Sequence, residues 1–216
     1  MNYRVEYKNS IDAKEDFWEE KSKDLPWIKE PTKTLTVGAD GFPSWFDGGF
    51  LNTSYACLDH HVDAGRGDQD ALIYDSPVSN TIETYSYTEL RDRVARVAGS
   101  LNKLGVTQGA VVIIYMPMVP EAAVAMLACA RIGAIHSVVF RGFSPDSIAG
   151  RIQDCDSCCV ITADEGVRGG KPIPLKANTD AALESCPTVK KVFVVERTKG
   201  LIDWEDGRDI WYHDAC

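Results

Sequence analysis

The sequence predicts an α/β fold in which a parallel β-sheet is covered by helices. Over the second half of the chain, short and continuously apolar runs alternate with longer segments whose apolar residues recur at helical spacing. Continuously apolar runs are typical of strands that are covered on both faces, as in parallel sheets. The regular alternation of the two kinds of segment implies βαβ units with right-handed crossovers. No internal repeat or low-complexity segment argues for another architecture.

The first 45 residues are an acidic and aromatic arm. Phe17, Trp18 and Leu25 are predicted to lie on one face of a helix, after which prolines at positions 26, 31 and 43 interrupt regular structure. The polar, glycine-containing stretch from Asp63 to Asp70 is typical of a loop. A short strand is predicted directly after it, from Ala71 to Tyr74.

A helix is predicted from Tyr87 to Leu104. Ser86 and Glu89 have the spacing of a capping box, in which each side chain accepts a hydrogen bond from the other residue's backbone N–H. Apolar residues then repeat at helical spacing: Leu90, Val94, Val97, Ala98, Leu101 and Leu104. Gly105 ends the helix, because glycine readily adopts the left-handed conformation that follows many helix C-termini.

The apolar run from Val111 to Met116 predicts a strand that is covered on both faces. Pro120 then opens a helix, since proline suits the first helical position. From Glu121 to Ile132 this helix is apolar on nearly all sides, which indicates a position in the interior of the domain. The later elements continue the alternation: strands His136–Phe140, Cys159–Ala163 and Lys191–Val195, a helix capped by Ser144 with Pro145 in its first turn, and a helix from about Lys176 to Ser185.

Composition indicates a globular protein. Apolar residues make up 44% and charged residues 25% of the 216 residues, which is average for soluble domains. The net charge of −9 argues against general binding to nucleic acid or anionic membranes, because such binding requires many Lys and Arg contacts to phosphates. No apolar run reaches the about 18 residues of a membrane span, and Met1–Tyr7 resembles no targeting peptide. We therefore expect a cytoplasmic protein with reduced thiols at its seven cysteines.

Two glycine-containing segments fail as nucleotide-binding motifs. The stretch Gly65–Asp70 lacks the third glycine of the dinucleotide fingerprint and does not join a strand to a helix, which argues against a nicotinamide-dependent dehydrogenase. The stretch Gly166–Lys171 is one residue shorter than a Walker loop, and Pro172 stands where that loop requires a hydroxyl residue.

Two clusters of reactive residues are interpreted as structural. The stretch Cys155–Cys159 contains half of a zinc-site spacing, yet no second close pair of ligands accompanies it. Asp59, His60 and His61 lack an accompanying nucleophile motif such as Gly-x-Ser-x-Gly. Neither cluster is predicted to bind a metal or to carry catalysis.

Arg168 and Lys171 flank two glycines shortly after a predicted strand. Open parallel sheets bind their ligands at the carboxyl ends of the strands. The glycines allow the backbone to approach a phosphate closely, while the guanidinium and the ammonium supply positive charge. From this spacing alone, a solvated loop and a phosphate site both remain open.

Several segments, read together, closely resemble the AMP-forming acetyl-CoA synthetase family. They are Arg131–Phe140, Gly142–Pro145, Thr162–Lys171, Pro174–Lys176, Gly207–Asp209 and Trp211, with Leu51, Asn52, Tyr55 and Leu58 in the arm. The resemblance extends in register over nearly all 216 residues and implies the partial N-terminal domain of an acyl-adenylate-forming ligase. On this basis, residues 1–60 are the family's N-terminal arm and residues 61–216 are an incomplete AMP-forming synthetase/ligase domain.

The resemblance implies a two-step ligase reaction. A carboxylate and ATP give an acyl-adenylate and pyrophosphate, with Mg²⁺ accompanying ATP, and the thiol of CoA then displaces AMP. Carried over by position, Phe140 and Gly142 border the adenine of CoA, and its phosphate-bearing ribose meets Arg168, Gly169, Gly170 and Lys171. The family usually has glycine where Arg141 stands and often arginine where Lys171 stands. These departures leave open whether Arg141 obstructs adenine or attracts phosphate.

The resemblance also indicates which motifs of the family are missing from residues 1–216. The family's Ser/Thr- and Gly-rich loop ending in Pro-Lys, which wraps the phosphates of ATP, has no counterpart in the sequence, nor has the family's C-terminal domain. We therefore expect no catalytic residue and no metal site here, but an N-terminal portion that is inactive alone and binds CoA weakly at most. Two alternatives stay open: a non-catalytic CoA-binding or interaction module, and a propionyl-CoA synthetase. A sheet that is cut partway is also expected to expose a strand edge and to self-associate.

Overall fold

The computed structural model describes residues 2–216. The helices are α1 (Tyr3–Asp12), α2 (Lys14–Ser22), α3 (Tyr87–Lys103), α4 (Pro120–Arg131), α5 (Pro145–Asp154), α6 (Leu175–Leu183) and α7 (Tyr212–Ala215). The strands are β1 (Lys33–Val37), β2 (Pro43–Asp47), β3 (Asp70–Ser76), β4 (Thr81–Ser86), β5 (Val111–Tyr115), β6 (Ile135–Val138), β7 (Cys159–Ala163), β8 (Gly166–Arg168), β9 (Lys171–Ile173), β10 (Lys191–Val195) and β11 (Asp209–Trp211). None of the helices in this range is both long and apolar enough to cross a membrane.

Five parallel strands form the central sheet, in the order β11-β10-β7-β5-β6. The three inner strands, β10, β7 and β5, consist mainly of valine, isoleucine and Phe193 side chains that are almost entirely buried. Each such side chain contributes about 1.5–3 kcal/mol of hydrophobic stabilisation when fully buried. These strands are therefore the core of the domain, and the predicted α/β class with a parallel sheet is confirmed.

Helices cover both faces of the sheet. The connection from β5 to β6 runs in one direction along the sheet, and the connections from β6 to β7 and from β7 to β10 run in the other. Because such crossovers are right-handed, α4 lies on one face and α5 with α6 lies on the opposite face. α3 packs against α4, and α5 packs against α6. The direction changes between the neighbouring strands β5 and β7, and open sheets bind ligands at the carboxyl ends of strands at such a point.

The predicted elements around this sheet are confirmed, with small shifts at their ends. Ser86 and Glu89 form the capping box of α3, with both reciprocal hydrogen bonds present. Ser144 caps α5 by accepting a hydrogen bond from the backbone N–H of Ser147. Every residue of α4 is buried or half-buried, as its apolar surface indicated. β7 and β10 have the predicted bounds.

The arm differs from its prediction. It contains α1, α2 and an antiparallel hairpin of β1 and β2, where a single helix face was expected. Leu25 lies beyond the end of α2 and is 42% exposed, because Pro26 disfavours the helical conformation in the residue before it. Phe17 and Trp18 contact each other edge to face, with ring centres 5.1 Å apart.

The stretch predicted as a loop from Asp63 to Asp70 is partly regular. Two short π-helical segments, Tyr55–Asp59 and Val62–Arg66, lead into it, and Gly65 accommodates the kink with a φ of 77°. The strand predicted after it is longer than expected, because β3 pairs with β4 as an antiparallel hairpin. No alternation of apolar residues marked β4. Tyr85 is the buried residue of this strand, its first and last residues are half-buried, and the other three are exposed.

Polar contacts tie the arm to the C-terminal end of α4. Arg131 donates to both carboxylate oxygens of Asp59, at 2.7 and 2.9 Å, and the hydrogen bond to this guanidinium lowers the pKa of Asp59. The side-chain amide of Asn52 donates to the carbonyl oxygens of Ala130 and Arg131, at 3.2 and 3.1 Å. The two hydrogen bonds from Asn52 satisfy carbonyl groups that the end of a helix leaves without internal partners.

Candidate functional site

Three segments follow the carboxyl ends of the parallel strands. Residues 139–144 follow β6, the β8–β9 hairpin follows β7, and residues 196–200 follow β10. Because the strands run parallel, all three segments lie at one edge of the sheet, where such folds bind ligands. β6 ends at Val138, so Phe140 lies in the first of these loops and not in the strand that was predicted to contain it.

Phe140, Gly142 and Arg168 come together at this edge. The guanidinium carbon of Arg168 lies 5.6 Å from the centre of the Phe140 ring, within the range of a cation–π contact. A Cβ atom on Gly142 would lie 2.8 Å from Cε1 of Phe140 and 3.0 Å from Nη1 of Arg168. Glycine at position 142 therefore permits this contact between the other two side chains. Phe140 is 54% exposed, which leaves apolar area for a ligand.

Gly169 and Gly170 form the two-residue turn between β8 and β9. Both have a positive φ, of 57° and 74°, and tight hairpin turns with this backbone favour glycine. Arg168 and Lys171 lie opposite each other where the two strands meet this turn, and both are exposed. The turn thus brings together the two cations that the sequence singled out. The hairpin itself was missed, although a pair of glycines after a strand is a known signal for one.

Positive charge at this edge is not neutralised within the domain. Arg141, Arg168 and Lys171 form no ion pair with any carboxylate of residues 2–216. In a chain whose net charge is −9, these three cations are close together on neighbouring loops. Cations in such an arrangement attract phosphate groups, and the planar guanidinium is suited to bidentate contacts with them.

Tyr115 anchors the loop that carries Phe140 and Gly142. Its side chain is fully buried at the end of β5, and its hydroxyl lies 3.2 and 3.1 Å from the carbonyl oxygens of Arg141 and Phe143. Asn178 of α6 donates to the same hydroxyl at 3.3 Å. Burial raises the pKa of Tyr115, so the hydroxyl keeps the proton that it donates. Sequence reasoning missed this residue, whose only signal was a hydroxyl at the end of an otherwise apolar strand.

Asp164 organises the loop after β10 and the start of the segment leading to β8. Its carboxylate is buried and accepts backbone N–H groups from Glu165 at 2.6 Å, Arg197 and Thr198 at 3.0 Å, and Gly200 at 3.3 Å. The Thr198 hydroxyl donates to it as well, at 3.3 Å. One side chain therefore joins two of the three loops at this edge.

Lys176 fixes α6, the helix that follows the hairpin. Its side chain is 0% exposed, and its ammonium donates to both carboxylate oxygens of Asp180 at 2.8 Å and to the carbonyl oxygen of Asp203 at 3.0 Å. The same ammonium lies 2.8 Å from Oδ2 of Asp209 in β11. Arg208 contacts both Asp180 and Asp209. Every donor of the buried ammonium is thus used, and the cluster joins α6 to β11.

The other clusters considered from sequence lie away from this edge. Asp59 pairs with Arg131, and the His61 ring contacts the ring of Tyr87 with centres 4.7 Å apart. Cys159 is buried in β7, and burial raises the pKa of its thiol. In the part of the chain that the structure describes, no three His, Cys, Asp or Glu side chains are grouped so as to hold a metal ion.

Two family models match this chain. A model of the family described as AMP-binding enzyme matches residues 58–212, and a model of the acetyl-coenzyme A synthetase N-terminus matches residues 3–57. The chain is 54% identical over 216 residues to the acetyl-coenzyme A synthetase of Halorhodospira halophila. It is 52% identical over 215 residues to acetyl-coenzyme A synthetase 2 of Pseudomonas putida. Each alignment covers 99% of this chain and 33% of the relative, so the chain spans about one third of the length of these relatives.

A solved structure shares the fold. The acetoacetyl-CoA synthetase from Streptomyces lividans superposes with a TM-score of 0.84 at 26% identity, over 97% of this chain and 32% of that protein. The family model for AMP-binding enzymes covers well over half of the present chain. The chain therefore belongs to the AMP-binding enzyme family.

Proposed function

We propose that residues 140–142 and 168–171 form one wall of the coenzyme A site of an AMP-forming acetate–CoA ligase. The observation that carries the proposal is the contact of Phe140 with Arg168 across Gly142, at the carboxyl edge of the sheet. This contact places an exposed aromatic face beside an unpaired guanidinium. A nucleoside phosphate has the matching pair of features, a flat base and a negative charge.

Each residue then has a distinct task. The Phe140 ring packs against the adenine, and Gly142 leaves room beside it. Arg168 binds the phosphate on the ribose through its planar fork, and Lys171 adds a point charge from the other side of the turn. Gly169 and Gly170 carry no side chains, so the backbone of the turn can approach the phosphate closely.

We propose acetate as the carboxylate substrate, because the relatives described above are acetyl-coenzyme A synthetases. The reaction forms an acyl-adenylate from the carboxylate and ATP, and the thiol of CoA then displaces AMP. ATP and Mg²⁺ are not assigned to any side chain here, because residues 2–216 contain no group of metal-binding side chains and the sequence has no loop that resembles the family's phosphate loop. Residues 1–216 alone are therefore proposed to bind CoA without forming the adenylate.

Replacing Arg168 by alanine is expected to weaken CoA binding by about tenfold, because a charge-assisted contact to phosphate is lost. Isothermal titration of the 216-residue protein with CoA measures this effect. Arg4→Ala is the matched control, since Arg4 is also exposed and forms no ion pair within residues 2–216, but lies in α1. Equal affinities of the two variants would contradict the proposed site.

The same protein is expected to give no acetate-dependent exchange of pyrophosphate into ATP. Binding of CoA without exchange agrees with the proposal, whereas exchange would show that these residues contain an adenylation site. The exchange assay, repeated with propionate on a longer protein that includes the remaining family motifs, separates an acetate enzyme from a propionate enzyme.

Self-association through β6 is also proposed. β6 is an end strand of the sheet, and Ile135 and Val138 on it are 55% and 53% exposed. Unpaired apolar edge strands tend to pair with other chains.

Val138→Lys is expected to shift a dimer–monomer equilibrium towards monomer in sedimentation velocity across micromolar concentrations. Val37→Lys, at a 68% exposed valine outside the central sheet, is the control, and a protein that is monomeric throughout would rule the association out.

A further inference from the structure

Arg141 lies between the two residues proposed to border adenine, Phe140 and Gly142. Its side chain is half-buried. Its Cδ atom lies 3.9 Å from the position that a Cβ on Gly166 would occupy, so the aliphatic stem runs along the start of β8. Gly166 has no side chain to block this path.

Arg141 and Arg168 extend over the same face of the hairpin. Gly166 and Arg168 are two residues apart in β8, and side chains at this spacing point to the same side of a strand. The stem of Arg141 lies against Gly166, and Nη1 of Arg168 lies against Gly142, the residue that follows Arg141. The two guanidinium groups therefore share one side of the site.

The guanidinium of Arg141 has no counter-ion within residues 2–216. Its Nε atom is buried and has no hydrogen-bond partner within residues 2–216, and no carboxylate of these residues forms an ion pair with it. A buried N–H group without a partner is unfavourable, so movement of this half-buried side chain towards an acceptor on a ligand is favoured. In the same range, the cation in contact with the Phe140 ring is Arg168 and not Arg141. Arg141 thus leaves the ring accessible.

We propose that Arg141 is an additional phosphate-binding residue that makes this site select for CoA over dephospho-CoA, which lacks the phosphate on the ribose. The inference rests on the proposed CoA site and adds a third cation to it. Arg141, Arg168 and Lys171 together place three cations around a dianionic phosphate. Such a phosphate accepts several charge-assisted hydrogen bonds at once.

Titration calorimetry with CoA and with dephospho-CoA tests the proposal. The unsubstituted protein is expected to bind CoA about tenfold more tightly than dephospho-CoA. Arg141→Gln removes the charge and keeps a shorter, polar side chain. It is expected to weaken CoA binding about fivefold and to leave dephospho-CoA binding within about twofold, because one charged contact is lost only from CoA. Arg4→Gln is the matched control.

Two further variants, Arg141→Gly and Arg141→Lys, separate the effect of side-chain volume on CoA binding from the effect of charge. Arg141→Gly is expected to behave like Arg141→Gln, and Arg141→Lys is expected to keep most of the preference for CoA. Circular dichroism melting curves check that each variant is folded. If Arg141→Gly binds CoA as tightly as the unsubstituted protein, or more tightly, the side chain obstructs the site and the inference is wrong, while the CoA site itself stands. If the unsubstituted protein binds neither nucleotide, the proposed function fails and the inference fails with it.

Discussion

Replacing Lys176 by alanine is expected to lower the free energy of unfolding by about 3–5 kcal/mol. The ammonium is fully buried and is shared by Asp180, Asp209 and the carbonyl oxygen of Asp203. Removing it leaves the carboxylate of Asp209, whose side chain is 0% exposed, facing a new cavity with Arg208 as its remaining cation. Breaking a buried ion pair from one side is costly, because two carboxylates then share the single guanidinium of Arg208 while one of them stays out of water.

The loss of stability caused by Lys176→Ala depends on pH. Burial raises the pKa of Asp209, but hydrogen bonds from Arg208 and Lys176 together outweigh burial, so the pKa lies below its usual value. A lowered pKa in the folded state stabilises the fold above about pH 4, the usual value for aspartate, and this stabilisation is lost as pH falls through the folded pKa. The difference between Lys176→Ala and the unsubstituted protein should therefore shrink in acid.

Urea unfolding at pH 7 and at pH 3.5, followed by circular dichroism, measures both effects. Lys103→Ala is the control, since Lys103 is an exposed lysine in α3 and its loss should change stability by less than about 0.5 kcal/mol. A Lys176→Ala variant that loses less than about 1 kcal/mol at pH 7 would show that the cluster does not carry the stability assigned to it.

The sequence predicted those parts of the fold that depend on local patterns. The capping box of α3, the apolar runs of β5, β7 and β10, and the all-round apolar surface of α4 each leave a signal within a few residues. β4 and the β8–β9 hairpin leave weaker signals. Their strands are short and mostly exposed, and the partner strand determines their conformation. The order of the strands in the sheet depends on contacts between distant segments, which no local pattern contains.

Some residues of the candidate site were likewise predicted from the sequence, and others were not. Phe140, Gly142 and Arg168 were found by resemblance, and the structure brings them together. Tyr115 and Asp164, which hold the loops in place, were missed. The Tyr115 hydroxyl donates to backbone carbonyls, and the Asp164 carboxylate accepts from backbone N–H groups, 26 to 36 residues away. Such contacts are visible only once the chain is folded.

Asp164→Asn is expected to lower the free energy of unfolding by about 2–4 kcal/mol. The carboxylate accepts backbone N–H groups of Glu165, Arg197, Thr198 and Gly200. An amide retains one oxygen but turns its NH₂ group towards donors that then lack an acceptor, and each buried donor left unsatisfied costs about 1–3 kcal/mol. Urea unfolding measures the loss, with Asp68→Asn as the control because Asp68 is exposed. Equal stabilities of the two variants would contradict the role assigned to Asp164.

Asp164→Asn is also expected to weaken CoA binding at a temperature where the variant remains folded, by about threefold to tenfold. Asp164 lies four residues before Arg168, and its hydrogen bonds fix the start of the segment that carries this guanidinium. If Asp164 acts through Arg168, the two substitutions are not additive, and Asp164→Asn has little further effect on CoA affinity in a protein that already carries Arg168→Ala. Additive losses in this double-mutant cycle would instead mean that Asp164 affects CoA binding independently of the Arg168 contact.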